Sequence, residues 1–136
     1  MLKKPMPTID SDSDEYWNGA KSNKLMLRYS KDKNEYFLYS RILGNTSEDD
    51  NLIWKQVSGE GEVYSYTEVH TPAGPAFEED VPYIVALIQL KEGTRIISNI
   101  VIKGNEKIKI GDKVKVFFDK VCDELTIPKF KKVESN

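Results

Sequence analysis

Glu62-Val63-Tyr64-Ser65-Tyr66-Thr67-Glu68-Val69-His70 alternates with the period of a β-strand, and together with the runs downstream of it this stretch decides the fold. The alternation predicts Val63, Ser65, Thr67 and Val69 on one face and Tyr64, Tyr66, Glu68 and His70 on the other. A loop rich in Pro and Gly occupies residues 71–82, with Pro72, Pro75 and Pro82 limiting its freedom. Two apolar arms come next, at residues 83–90 and 95–102, joined by the tight turn Lys91-Glu92-Gly93-Thr94. Ile110-Gly111-Asp112-Lys113-Val114-Lys115-Val116-Phe117-Phe118 reads as a strand entered through a glycine turn, its valines inward and its lysines outward. A last strand spans residues 125–133, and Pro128 predicts that it lies at a sheet edge. Five strands in about seventy residues, with one long loop after the first, match a five-stranded OB-type Greek-key barrel. Closure removes the sticky edges that such apolar strands would expose in an open sheet.

Upstream of Gly59 the pattern changes. Asp10-Ser11-Asp12-Ser13-Asp14-Glu15 offers cap residues and carboxylates suited to a helix start, and Tyr16, Trp17 and Ala20 succeed it at helical spacing. This predicts a helix of about three turns behind an extended tail. Leu25-Met26-Leu27-Arg28-Tyr29 and Glu35-Tyr36-Phe37-Leu38-Tyr39 predict a hairpin. An acidic, turn-forming loop at 44–51 leads to a strand at 52–57, and Ser58-Gly59-Glu60-Gly61 marks a boundary. The expected organisation is a tail and helix over 1–24, a ribbon-like hairpin over 25–58 and the barrel over 59–136, in an all-β chain.

With 136 residues, 39% of them hydrophobic and 31% charged, the composition is that of a soluble globular protein. Net charge is −2, so no global positive field gathers nucleic acid. Lysines 107, 109, 113, 115, 120, 129, 131 and 132 nevertheless leave open a weak basic face near the C-terminus, or simply the outward positions of strands. The longest apolar run, residues 83–90, is too short to cross a bilayer, and no apolar segment comes after Lys3 and Lys4 as in a secretory signal. Cys122, the lone cysteine, cannot form an internal disulfide. A cytoplasmic location is therefore expected.

Candidate chemistry is sparse. His70 stands alone, with no serine–acid or cysteine partner spaced to suggest a relay. Nothing around Cys122 in Lys120-Val121-Cys122-Asp123-Glu124 suggests an activated thiol. Glu78-Glu79-Asp80 offer a loosely held cation, a basic partner or plain solvation, and no Gly-rich phosphate cradle occurs. A catalytic residue, and hence an enzyme acting alone, is not expected, nor is a covalently bound cofactor.

Several ordered pieces resemble the zinc-ribbon/OB-fold family of acyl-CoA-associated proteins, which accompany thiolases, hydroxymethylglutaryl-CoA synthase and enoyl-CoA hydratases. They are Tyr16-Trp17 with Gly19, the aromatic hairpin containing Arg28 and Arg41, and the run from Gly59 to Thr67. Pro82-Tyr83-Ile84-Val85-Ala86-Leu87, Glu92-Gly93 and Ile110-Gly111-Asp112-Lys113-Val114-Lys115-Val116 complete the set. One feature departs. Where the family's rubredoxin-like ribbon carries two Cys-x-x-Cys knuckles, this chain has Tyr29 and Asp32, then Gly44 and Ser47. A structural zinc site needs four ligands, usually thiolates, so a degenerate, metal-free ribbon is expected and no zinc. Loss of the metal forfeits roughly 10–16 kcal/mol in isolated zinc peptides. Aromatic and aliphatic bulk in the hairpin, or a partner protein, would have to offset it.

The resemblance implies a non-catalytic accessory or scaffold subunit that binds a thiolase-type acyl-CoA enzyme and helps hold or channel acyl-CoA. A coenzyme A thioester is then the expected ligand. Thr67, His70, Phe77 and Tyr83, around the proline-stiffened loop, are the candidate acyl or pantetheine contacts. Tyr16, Trp17, Tyr36, Phe37 and Trp54 either form a miniature core or dock the partner. Two other readings stay open. One is a single-stranded nucleic-acid binder using Tyr64, Tyr66, Phe117, Phe118 and the C-terminal lysines, disfavoured by the net charge. The other is a small stand-alone acyl-CoA thioesterase.

Overall fold

The computed structural model describes residues 4–38 and 52–133. Asp10 opens the ordered structure. Its Oδ1 accepts the backbone N–H groups of Asp12 and Ser13 at 3.1 Å each and the Ser13 hydroxyl at 2.9 Å. This side-chain-capped turn takes up the residues expected to form the first helical turn, so α1 (Asp14–Lys21) has 8 residues and not about three turns. Gly19 is needed where the helix crosses β1, since a Cβ there would lie 2.4 Å from Met26 Cγ.

β1 (Leu25–Ser30), β2 (Glu35–Phe37) and β3 (Leu52–Val57) form a sheet of order β2-β1-β3, the expected hairpin plus a returning strand. Register places Leu25, Leu27 and Tyr29 on one face with Tyr36, Ile53 and Val57. Arg28, Phe37 and Trp54 share the other.

β4 (Glu60–Val69), β5 (Tyr83–Leu90), β6 (Arg95–Val101), β7 (Lys113–Cys122) and β8 (Leu125–Lys132) close into a barrel of order β4-β5-β6-β8-β7. Every pairing is antiparallel except β6 with β8, which join in parallel through Ile100–Phe130 and Val101–Lys131. This is the OB-type topology. Val63, Ile84, Ala86, Ile88, Leu90, Ile96, Ile100, Val114 and Phe130 fill it. Leu25, Leu27 and Val57 of the small sheet belong to the same buried cluster, so sheet and barrel share one core.

Three expectations are corrected. Val63 points inward and is 1% exposed, but Ser65 and Thr67 are exposed. A β-bulge between Val63 and Ser65 inserts Tyr64 and flips the phase of everything after it. Pro128 does not mark an edge strand, because β8 lies between β6 and β7. The proline is tolerated there because the parallel ladder to β6 covers only Phe130 and Lys131, leaving Pro128 without a ladder pair on that side. Finally, β7 starts at Lys113, since Gly111 (φ 94°) and Asp112 are spent in the turn that donates Gly111 N–H to Val63 O at 2.8 Å.

Gly59 makes the joint between sheet and barrel. Its φ is +75°, and a Cβ on it would fall 2.2 Å from Val116 Cγ1. Beside it Glu92 accepts the Ser58 N–H at 2.7 Å and the Ser58 hydroxyl at 3.2 Å, tying the joint to the β5–β6 turn. Among the described residues no helix is long and apolar enough to cross a membrane.

Candidate functional site

Outward positions on a barrel strand ordinarily carry polar side chains. On the outer face of β5 and β6, Leu87 and Ile97 instead stand directly opposite each other, 38% and 51% exposed. The next pair along, Gln89 with Arg95, is polar and firmly held. Arg95 Nε donates to Gln89 Oε1 at 2.9 Å, and Gln89 Nε2 donates to Gly93 O at 2.8 Å. The Arg95 guanidinium lies 3.8 Å from the ring centroid of Tyr64, the residue the bulge turns out of the barrel. Among the described residues Arg95 makes no ion pair. Glu60 pairs with Lys91 at 3.7 Å and Glu62 with Lys113 at 2.9 Å, whereas Glu92 accepts hydrogen bonds from the neutral Ser58.

The far end of β2 lies beside this face. Tyr36, Phe37 and Leu38 line an open groove of about 400 Å³ together with Leu87, Thr94, Arg95, Ile96 and Ile97. Tyr36 also stacks on Tyr29, ring centroids 4.8 Å apart, and packs on the shared core, which fixes the groove wall.

Of the residues expected at a partner surface, Tyr36 and Phe37 line this groove. Trp54 lies across the sheet from Phe37, its ring 4.5 Å from the Arg28 guanidinium. Arg28 Nε is buried and finds no hydrogen-bond partner among the described residues. Tyr16 and Trp17 sit on α1 in an edge-to-face pair 5.0 Å apart, and Tyr16 packs against the core. They do not line the groove.

The candidate acyl contacts sit at the far end of β4 and β5. Thr67 pairs with Val85 and Val69 with Tyr83, so Thr67 and Tyr83 are diagonal neighbours on one outer face. His70 comes next, exposed, one residue past β4. Phe77 lies in a short 3-10 turn (Pro75–Phe77), under Lys4 Nζ at 5.7 Å, and Lys4 also pairs with Asp80 at 2.5 Å. None of these four lines the groove.

No catalytic set assembles from His70 and Cys122. β4 and β7 meet only through Glu60–Lys115, Gly61–Val114 and Glu62–Lys113. From that register antiparallel strands diverge, carrying His70 and Cys122 to opposite ends. Among the described residues no group of three His, Cys, Asp or Glu is placed to hold a metal. At the first knuckle position the Tyr29 phenol donates to Asn34 Oδ1 and its ring carries Lys55 Nζ at 4.4 Å, so the donors present do not suit a structural zinc. Gly44 and Ser47 lie outside the described residues.

Half of the lysines of the basic face are paired with acids. Lys113, Lys120, Lys129 and Lys132 pair with Glu62, Asp123, Asp119 and Asp112. Phe117 and Phe118 are half-buried, leaving Tyr64 and Tyr66 as the exposed aromatics of the nucleic-acid reading. Asp112 accepts the Lys109 N–H at 2.9 Å and pairs with Lys132 at 3.3 Å. That backbone hydrogen bond, ahead of the lysine, holds its carboxyl below the usual carboxylate range.

Arg95, Leu87 and Ile97 were not singled out by the sequence pattern. The one signal was that residues 83–90 and 95–102 are apolar on both faces, more than a half-buried strand needs.

Known proteins place this architecture. A family model for the ChsH2 C-terminal OB-fold domain matches residues 54–119. A probable enoyl-CoA hydratase alpha subunit of Thermomonospora curvata is 35% identical over 131 residues, covering 94% of this chain and 40% of that protein. A DUF35 domain-containing scaffold protein of Methanothermobacter thermautotrophicus is 42% identical over 67 residues, 49% of this chain and 50% of that protein. The chain thus spans half or less of the length of these relatives. Among solved structures, a chain of the Ltp2-ChsH2(DUF35) aldolase superposes with a TM-score of 0.77 at 31% identity, over 93% of this chain and 98% of that one. A DUF35-family protein from Sulfolobus solfataricus, at 18% identity and TM-score 0.56 over 90% and 86% of the two chains, shares the fold.

Proposed function

This chain belongs to the DUF35 family of OB-fold, acyl-CoA-associated proteins, and from that membership we propose that it is a non-catalytic accessory or scaffold subunit of an acyl-CoA-handling enzyme. Its partner is a hydratase-, aldolase- or thiolase-type subunit, and its contribution is positioning, not proton transfer. The observation that carries this reading is the apolar groove between hairpin and barrel, in a chain where His70 and Cys122 run to opposite ends. Half-buried aromatic side chains with exposed aliphatic and arginine side chains around a pocket are the composition of an interface. The relatives' names point the same way: a hydratase alpha subunit, scaffold proteins and an aldolase.

Within this reading the ribbon works without zinc, and acyl-CoA passes the end of β4 and β5, contacting Thr67, His70, Phe77 and Tyr83. A pantetheine arm is long and amphipathic, which suits the outer face shared by Thr67 and Tyr83 beside a stiffened loop. Co-purification of the tagged chain from its native host tests the main claim, and recovery of no acyl-CoA enzyme would end it. Titration of the resulting complex with acyl-CoA tests the contacts. Joint replacement of Phe77 and Tyr83 by alanine should weaken binding about tenfold or more, and unchanged affinity would remove the assignment. Zinc analysis of the purified protein should return substoichiometric metal.

A further inference from the structure

We propose that the outer face of β5 and β6 centred on Arg95 is the surface that receives the partner enzyme, and that the partner brings an apolar side chain flanked by a carboxylate. The inference rests on the accessory-subunit reading and adds to it a place and a chemistry.

The argument starts from Leu87 and Ile97, an exposed apolar pair on the outside of a closed barrel. Leaving both in water forgoes burial that an inward-facing pair would gain. Tyr36 and Phe37 flank them across a groove of about 400 Å³, room for side chains from a neighbouring protein. Arg95 supplies direction. A free arginine side chain loses considerable rotamer entropy when it is immobilised at an interface. Here that ordering precedes binding, because Gln89 fixes Nε, Gly93 fixes Gln89, and Tyr64 supports the guanidinium plane from one side. Among the described residues Arg95 has no acid partner, while Glu60 and Glu62 pair with Lys91 and Lys113. A preorganised, uncompensated guanidinium beside an apolar groove is complementary to a carboxylate next to an apolar side chain. The occupant is therefore a folded protein surface of that composition.

The test uses the full chain and the acyl-CoA enzyme subunit that co-purifies with it, each purified, with affinity measured by calorimetry. Arg95→Glu and Ile97→Asp should each weaken the complex at least tenfold. Arg95→Lys, which keeps charge but loses the fork, should fall between, and Val121→Asp on exposed β7 should match wild type. Hydrogen exchange on the wild-type complex gives a reading that needs no variant: amides of β5, β6 and residues 36–38 should slow on binding. A tight complex indifferent to both variants, with no protection there, would overturn this surface and leave the accessory role standing. A wild-type chain that binds no acyl-CoA enzyme would remove both together. Tight binding of oligodeoxythymidine that Arg95→Glu abolishes would overturn the proposal in favour of nucleic acid.

Discussion

Replacing Gly59 by alanine should destabilise the whole protein, and the size of the effect comes from two separable causes. The first is backbone. At φ +75° an L side chain sits in the left-handed region, which costs roughly 1–2 kcal/mol. The second is contact. The new methyl would lie 2.2 Å from Val116 Cγ1 and 3.1 Å from Val116 Cβ, and Val116 packs on the shared core, so it cannot move aside freely. Overpacking of this kind costs about 1–3 kcal/mol. Together Gly59→Ala should lose about 2–5 kcal/mol out of a net stability on the order of 5–15 kcal/mol. At roughly 2–8 °C per kcal/mol, that lowers the melting temperature by at least about 4 °C. Calorimetric melts of four proteins separate the causes: wild type, Gly59→Ala, Val116→Ala and the double variant. Truncating Val116 removes the 2.2 Å contact with Cγ1 but leaves the 3.1 Å contact with Cβ and the backbone strain, so the double variant should be about 1–2 kcal/mol more stable than additivity allows. Strict additivity, or a Gly59→Ala loss below about 0.5 kcal/mol, would refute the account of this joint.

Glu92→Ala should free the Ser58 N–H and hydroxyl, costing about 1 kcal/mol and speeding hydrogen exchange in β3 more than in β7. Asp112 supplies a pH dependence. Its carboxyl titrates below 3.8 in the folded protein, so its stabilising contribution is present above that value and is lost as pH falls through the lower folded one. Acid titration of Asp112→Asn, monitored by circular dichroism, should therefore show a shallower loss of stability below pH 3.8 than wild type. Both tryptophans, Trp17 and Trp54, lie outside the barrel, whereas most strand signal arises within it. With one shared core, tryptophan fluorescence and far-ultraviolet dichroism should give coincident urea unfolding curves, and separated midpoints would show that the two parts fold independently.

The strands were legible because each is a short apolar run bounded by Gly, Pro or charged turns, and residues 83–90 appear in the structure with those bounds. The bulge at Tyr64 was not, because an extra residue leaves the local alternation intact and is visible only against the partner strand. The same limit hid the groove. A run such as Tyr83-Ile84-Val85-Ala86-Leu87-Ile88 is apolar at every step, so periodicity cannot say that Ile84, Ala86 and Ile88 are inside and Leu87 outside. Tyr36 and Phe37 were within reach, since an aromatic hairpin too small to bury itself must lie against something. Its resting place against β5 and β6 depends on tertiary placement alone.

The shared core also bears on the proposed metal-free ribbon and its proposed docking surface. In a zinc ribbon the ion fixes the hairpin locally, so the arm keeps its shape whatever lies beside it. Here Leu25, Leu27 and Val57 are buried in the barrel's own cluster, and Tyr36 packs against it. The hairpin is thus anchored in the barrel's core, and Phe37 and Leu38 line one groove with Leu87 and Arg95. A groove between elements anchored in one core is preformed, and for the proposed docking this lowers the ordering cost at binding. Under the metal-free reading proposed above, the common core does for this hairpin what the ion does in a zinc ribbon, and leaves a preformed cleft.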